Sequence, residues 1–338
     1  MVRNRHENYL SRTCHGLACG YFVSFVLGTI CKELGQIVHF SILYQWGVML
    51  TYMMGPAIGI AMAWCMEAKG INLLAAVLAG SIGAGSIVVD GSQVSLAIGQ
   101  PFLAYLAVIL AVEVIRLIQD KTSFDLLLAP ILAMLCAGLM VWLMKPFYLQ
   151  LVHWFAGIIQ QCSHMHSVLL GICVALLAGM IATSPLTSLF LMSVLSESNS
   201  LVLATAMAGV CSQMIGLAVM SIRDNPFGNV FTIGLGTSLL QFKNIIKRPL
   251  IWLPPLIASM LSGVITVFLS LHCTVQGASL GLMGLVGLSD IINKMQPTYW
   301  FIFILVDIVL PMGVCYSMYK VLRKLNYIKS GDMHISGI

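Results

Sequence analysis

Residues 126–144 read LLLAPILAMLCAGLMVWLM, nineteen residues without a charged side chain. A helix of about 20 such residues crosses the hydrocarbon core of a bilayer. Similar apolar runs recur on both sides of this stretch, at residues 16–31, 42–64, 71–89, 102–118, 168–181, 201–222, 230–240, 250–269 and 299–321. The sequence therefore predicts an all-α, polytopic integral membrane protein with about ten transmembrane helices.

The composition agrees with a chain that lies in lipid. Of the 338 residues, 59% are hydrophobic and 9% are charged, whereas a soluble domain carries about 25% charged residues. The formal net charge is +5, but the basic residues sit in short clusters between apolar runs, which is the pattern of topology signals. We therefore expect membrane lipid as a partner and no nucleic acid. Most of the ten cysteines lie inside apolar runs, which favours packing over a disulfide framework.

Orientation follows from the lysines and arginines, which are enriched on the cytoplasmic side of a membrane. Basic clusters occur near the N-terminus, at residues 116–121, at residues 243–248 and at residues 320–329. If all four basic clusters face the cytoplasm, the chain must cross the membrane an even number of times between one cluster and the next. A total of ten crossings satisfies this condition. Both termini are therefore predicted to be cytoplasmic.

The chain divides into two halves of different character. Residues 1–146 contain five regular apolar runs and are predicted to be scaffold and dimerisation helices, with the small residues of 80–86 allowing close approach. Residues 147–167 are predicted to be an interfacial amphipathic connector. Residues 168–324 have shorter runs, broken by polar residues and prolines, and are predicted to be transport-like helices with re-entrant hairpins. Residues 325–338 are predicted to be a cytoplasmic tail.

The broken runs of the second half carry the candidate substrate-binding residues. Their hydroxyls, amides and charges are the groups that a sugar or polyol would need, and irregular backbone at membrane depth usually lines a cavity. These residues are Thr183, Ser184, Ser188, Arg223, Asp224, Asn225, Thr237, Ser238, Gln241 and Asn244. The alternatives are a hydroxyl-satisfied proline kink at 183–188 and a solvated turn at 223–226, where Arg223 and Asp224 could partly neutralise each other.

Other polar residues give weaker signals. Glu113 and Arg116 are spaced as a helical ion pair, and Asp307 is an isolated acid inside an apolar run. Cys162, His164 and His166 lie close together, but structural zinc needs about four ligands, so no metal is expected. No catalytic group and no cofactor are predicted.

Several segments of the second half resemble one known family. They are residues 183–188, the run from Gln213 to Asn225, residues 234–241, Asn244-Ile245 and residues 252–255, together with residues 99–101 in the first half. These segments are similar to the IIC-like membrane subunits of the phosphoenolpyruvate-dependent sugar phosphotransferase system (PTS), in the family (EIIC type 2) that includes the perfringolysin O regulator.

This resemblance implies a bacterial plasma-membrane homodimer in which a scaffold half supports a transport half. A IIC subunit binds its sugar and presents it to a phosphorylated IIB domain. No IIA or IIB domain is attached here, so the chain would be at most the membrane subunit of a protein-phosphohistidine–sugar phosphotransferase, with IIA and IIB as separate partners. The Gly-Ile-Thr-Glu signature of the glucose-type subunits is missing.

Three functions stay open on the sequence. The first is a PTS IIC-like permease for a sugar or related polyol. The second is a membrane-embedded sensor that regulates gene expression without transport. The third is a proton-coupled secondary carrier, with Asp307 or Asp224 as the coupling acid.

Overall fold

A computed structural model describes residues 9–119, 121, 124–289 and 298–335. The described chain is helical except for one small hairpin and the connecting loops. It forms two compact units: the first holds the described residues up to Gln150, and the second holds those from Leu151 onward.

The first unit begins with helix α1, which continues through a π-helical turn into α2. Its elements are α1 (Tyr9–Tyr21), the turn Phe22–Val26, α2 (Leu27–Ile37), α3 (Ser41–Tyr52), α4 (Met54–Cys65), α5 (Ile71–Ala84), β1 (Ile87–Asp90), β2 (Gln93–Leu96), α6 (Pro101–Ile118) and the start of α7 (Asp125–Ser163). The predicted pair of Glu113 and Arg116 is confirmed, because a guanidinium nitrogen lies 2.9 Å from a carboxylate oxygen.

Glycines allow the helices of the first unit to touch backbone to backbone. A Cβ atom added at Gly59 would lie 2.2 Å from the carbonyl oxygen of Ala76, and one at Gly80 would lie 2.3 Å from that of Gly55. A Cβ at Gly83 would lie 2.6 Å from the Cβ of Ala107. Small residues at these positions therefore serve packing within the chain. The homodimer stays a prediction, and its contact would have to use residues other than Gly80 and Gly83.

One apolar run of the first half is sharply bent. The run at 42–64 forms two helices, α3 and α4, which meet at Met53 with an angle of 59° between them. Pro56 explains the break, since proline has no N–H and its ring clashes with the carbonyl four residues earlier, at Tyr52. Regular helices were expected here, and broken ones only in the second half.

The run at 71–89 also ends earlier than the sequence indicated. Helix α5 stops at Ala84, and Gly85 caps it with a φ of +69°. The β-branched residues that follow form strand β1, which pairs antiparallel with β2 so that Asp90 faces Gln93. Gly91 has a φ of +59° in the two-residue turn, a conformation that tight hairpin turns require.

The second unit is built around a buried helix, α10, which packs against α8 and α13, and these two helices also pack against each other. Its further elements are the end of α7, α8 (Ser167–Thr183), α9 (Thr187–Val194), α10 (Ser200–Ser221), α11 (Phe227–Leu235), the 3₁₀ turn Ser238–Gln241, α12 (Phe242–Lys247), the 3₁₀ turn Pro249–Trp252, α13 (Leu253–Phe268), α14 (Val275–Leu280), the 3₁₀ turn Met283–Leu285, α15 (Thr298–Phe303), the π-helical turn Ile304–Val309 and α16 (Leu310–Lys324).

Within the described residues, six helical segments are long and apolar enough to cross a membrane. They are Tyr9–Ile37, Pro101–Ile118, Asp125–Ser163, Ser200–Ser221, Pro249–Phe268 and Trp300–Lys324, and the bent pair α3–α4 would make a seventh. Helices α5 and α8 are apolar but shorter. A polytopic helical architecture is therefore confirmed, whereas the count of ten is not. Residues 147–163 continue helix α7, and their position at a membrane interface stays a prediction.

Candidate functional site

The centre of the second unit contains paired polar side chains. The Nε2 of Gln213, on α10, donates to the hydroxyl of Ser259 on α13 at 3.2 Å, and its Oε1 accepts from the indole N–H of Trp252 at 3.0 Å. Gln213 and Trp252 both belong to segments that carry the family resemblance. Because a buried amide without partners would be costly, this network fixes where α10 meets α13.

The 183–188 segment is a break between two helices. Helix α8 ends at Thr183, and α9 begins at Thr187. Ser184 turns its hydroxyl back onto the carbonyl of Ile181 at 2.8 Å, and Ser188 is buried. The hydroxyl of Thr183 lies 2.9 Å from that of Ser238. Two candidate residues from separate runs are thus brought together.

Thr187 was not named among the candidate residues, although it lies in the 183–188 segment as the first residue of α9. Its φ is +71°, a left-handed conformation that is strained for a β-branched residue. Its hydroxyl is buried and has no hydrogen-bond partner among the described residues. A strained residue with an unpaired, buried hydroxyl, four residues after Thr183 in the chain, is a candidate ligand contact.

The 3₁₀ turn Ser238–Gln241 leads from the Thr183–Ser238 pair to a group of amides. Thr237 caps this turn, because its hydroxyl accepts from the backbone N–H of Leu239 at 3.3 Å. Asn244 follows on α12 and donates to the Oε1 of Gln241 at 2.8 Å. With Asn225, these two amides form what we call the amide cluster (Asn225, Gln241 and Asn244), and all three side chains are buried.

The amide cluster is occupied by the tail segment, which we define as residues 329–335. Asn225 donates to the carbonyl of Met333 at 2.7 Å and accepts from the N–H of Ile335 at 2.7 Å. Gln241 donates to the same Met333 carbonyl at 3.0 Å, and Asn244 donates to that of His334 at 3.2 Å. The cluster therefore recognises the backbone of the chain's own later residues.

Further interactions hold the tail segment and fix its shape. The carboxylate of Asp224 accepts from the N–H of Met333 at 3.2 Å, and the side chain of Met333 is fully buried in an apolar cluster with residues of α10, α12 and α16. Asp332 accepts from the N–H of Lys329 at 2.8 Å and lies 3.5 Å from the guanidinium of Arg248. Residues 325–338 were predicted only as a cytoplasmic tail, and the packing of residues 329–335 was not foreseen.

Arg223 does not join the amide cluster. It forms no ion pair with Asp224 within the part of the chain that the structure describes, so the direct pairing that the sequence left open is not observed. Instead it lines a separate cavity together with Tyr316, Tyr319 and three basic residues of α16. Six of the ten candidate residues therefore fall into three places: the hydroxyl pair (Thr183 and Ser238), the amide cluster and this basic cavity, which Arg223 lines. The other four, Ser184, Ser188, Asp224 and Thr237, lie outside these three groups.

Asp307 is the buried acid of the second unit. It lies in the π-helical turn Ile304–Val309 and is completely buried. Neither carboxylate oxygen has a hydrogen-bond partner among the described residues. Turns of this kind often mark functional positions in helices.

The family model for the phosphotransferase system EIIC (PTS_EIIC_2) matches residues 11–335. The chain belongs to this family. It is therefore a multi-pass membrane permease component of a phosphotransferase system, which works with IIA and IIB phosphocarriers. The matched region includes the tail segment as well as the amide cluster that holds it. No curated protein and no solved structure shows a detectable match to the chain.

Proposed function

We propose that this PTS component takes up a sugar or a related polyol, and that the amide cluster binds it. The observation that carries the proposal is the convergence of three buried, uncharged amides in the second unit. A primary amide both donates and accepts hydrogen bonds, which suits hydroxyl groups. The Thr183–Ser238 pair, one short turn away from Gln241, would extend the site with two more hydroxyls.

The tail segment would compete with such a ligand. Its backbone N–H and C=O groups at 333–335 use the donors and acceptors that a polyol would need. If the cluster is free in only about one molecule in ten, the apparent dissociation constant is about 10-fold weaker than the intrinsic one. The tail segment then sets the affinity, and ligand binding requires its displacement.

Thermal-shift titration against a panel of neutral sugars and polyols tests this proposal. The full chain is compared with a variant in which residues 329–335 are replaced by a glycine–serine linker of equal length. We expect the linker variant to bind a panel member several-fold more tightly. In that background Gln241→Ala should weaken binding several-fold, because a hydrogen bond to the ligand is lost. Gln161→Ala, at an exposed position on α7, is the matched control.

Two results would place the site elsewhere: no binding to the linker variant, or unchanged affinity after Gln241→Ala. Uptake into proteoliposomes then separates transport from binding alone. We expect accumulation of phosphorylated ligand only when the IIB phosphocarrier is supplied in its phosphorylated form, so that its phosphoryl group can pass to the ligand.

The tail segment also supports the sensor alternative. A ligand that displaces residues 329–335 would release a peptide that is otherwise docked through the buried side chain of Met333, and a cytoplasmic partner could recognise it. This alternative predicts that sugar increases protease cleavage within 329–335 even when no uptake occurs. Uptake without any change in cleavage would reject it.

Asp307 supports the proton-coupled alternative, because an unpaired acid inside a membrane-spanning helix is a functional candidate by default. Asp307→Asn preserves the shape of the side chain and removes the protonation site. If Asp307 couples transport to protons, the variant should bind ligand but lose uptake driven by a pH gradient. Uptake at the wild-type level by Asp307→Asn under that gradient would exclude the proton-coupled alternative.

A further inference from the structure

Four basic side chains surround one cavity of about 280 Å³ in the second unit. Arg223 follows the end of α10, whereas Lys320, Arg323 and Lys324 come from the last turns of α16. The volume approaches the lower end of the range for small-molecule sites, which is about 300–1,000 Å³. We call this space the basic cavity.

Two tyrosines contact two of the four cations of the basic cavity, Lys320 and Arg323. The ammonium of Lys320 lies 4.3 Å from the ring centroid of Tyr316. A guanidinium nitrogen of Arg323 donates to the phenol oxygen of Tyr319 at 2.8 Å, and Tyr319 is only 2% exposed. Since Tyr319 is fixed by packing, Arg323 has a defined position, so less side-chain freedom is lost when a ligand binds.

The net charge of the basic cavity remains positive when nearby negative groups are included. None of its six lining residues is acidic. Asp224 is the nearest acid in sequence, and its carboxylate accepts from the N–H of Met333. The ends of α10 and α16 each contribute about −0.5 of a charge. Subtracting these and Asp224 from four cations leaves a net charge of about +2.

We infer that the basic cavity binds a phosphate group. Two arginines from separate elements offer planar forks that suit the geometry of phosphate oxygens, and the two lysines add charge. The phosphate could belong to the headgroup of an anionic lipid or to a small soluble compound, which share this chemistry. The inference does not depend on the proposed sugar site, because Asn225, Gln241 and Asn244 do not line the cavity.

Basic clusters at the end of a membrane helix also set topology, and that role needs charge alone. Replacement of arginine by lysine separates the two roles. Arg223→Lys with Arg323→Lys keeps every charge but removes the planar forks. A phosphate site should be weakened by this change, whereas a topology signal should not.

Two probes distinguish the sources of the phosphate. Inorganic phosphate is titrated against the protein in neutral detergent by calorimetry. In parallel, the protein is reconstituted with phosphatidylcholine alone or mixed with phosphatidylglycerol, and native mass spectrometry measures the phosphatidylglycerol that it retains. Binding in the first assay indicates a soluble phosphate compound, and retention only in the second indicates a lipid headgroup.

We expect Arg223→Gln with Arg323→Gln to weaken binding of the effective probe by about 10-fold or more, since charge-assisted hydrogen bonds are lost. The lysine pair should weaken it by a smaller factor. Lys69→Gln with Lys145→Gln removes the same charge at exposed positions outside the cavity and should leave binding nearly unchanged.

If the double variant misfolds, the single variant Arg223→Gln, at an exposed position, is measured in its place. The inference is overturned if neither probe binds, if the arginine-to-glutamine variants bind like wild type, or if the control pair is equally weakened.

Discussion

Arg223 and Asp224 are neighbours in the chain, yet they belong to two polar regions that are built in opposite ways. The amide cluster beside Asp224 is buried and already filled by residues 333–335 of the same chain. The basic cavity beside Arg223 has four cations and about 280 Å³ of open volume. The comparison indicates that uncharged groups can be satisfied by a nearby backbone, whereas a concentration of like charge favours an external anion.

The largest effect is expected from the side chain that anchors the tail segment. Met333 is fully buried, so Met333→Ala should lower the free energy of unfolding by about 2–5 kcal/mol. Denaturant or thermal unfolding in detergent measures this loss. Met165→Ala, where the side chain is 47% exposed, is the control. Equal stability of the two variants would mean that the tail segment is not docked in solution.

A smaller effect is expected from the amide that makes two bonds to the tail segment. Asn225→Ala removes one of the two donors to the carbonyl of Met333 and the acceptor of the Ile335 N–H, which should cost about 1–3 kcal/mol. Hydrogen exchange at the amide of Ile335 should accelerate accordingly. Asn229→Ala, four residues further on, should leave that exchange rate unchanged. Fast exchange in the wild type would show instead that the cluster is normally open.

The ion pair between Arg248 and Asp332 should contribute less. The two groups are 3.5 Å apart, and the arginine side chain is 44% exposed, so water and salt screen the attraction. Arg248→Gln should therefore destabilise the protein by only about 0.2–1 kcal/mol. Salt titration of the unfolding midpoint provides the check, because the difference from wild type should shrink as ionic strength rises. A loss as large as that of Met333→Ala would contradict this ranking.

The smallest effect on stability is expected in the basic cavity. Arg223 is exposed and follows the end of α10, and it lies among three other cations, so Arg223→Gln relieves repulsion. Its free energy of unfolding should stay within about 0.5 kcal/mol of the wild-type value. Unfolding curves without phosphate measure this difference. A large destabilisation would show that Arg223 has a structural role in the folded chain and is not simply available to bind an anion.

Local signals in the sequence predicted much of the helical structure but misjudged several ends. The apolar run predicted at 201–222 became helix α10 (Ser200–Ser221), and Glu113 paired with Arg116 three residues away. Pro56 was hidden inside an apolar run, although its missing N–H broke the helix at Tyr52. The stretch after Gly85 was read as the end of a span, although its β-branched residues and Asp90-Gly91 form a hairpin.

The candidate site was predicted as a list of residue types, and only the folded chain shows how they are grouped. Asn225, Gln241 and Asn244 were named for their hydrogen-bonding capacity, and they do converge. Thr183 and Ser238 were likewise named, and they meet. Arg223 was placed with them and lies in the basic cavity instead. The tail segment gave only a weak signal, the apolar residue Met333 in a mostly polar stretch, and Met333 is buried in the structure.

The sequence by itself determined that this chain lies in a membrane, because runs of apolar side chains without charges have no other stable environment. It also determined the family, because short segments of sequence carry the resemblance and can be recognised without the structure. Only the tertiary structure decided which polar groups are already satisfied. Asn225 and Ile335 are separated by 110 residues along the chain, and helical periodicity relates only residues within a few turns of each other. A hydrogen bond across such a distance depends on how the helices between them pack.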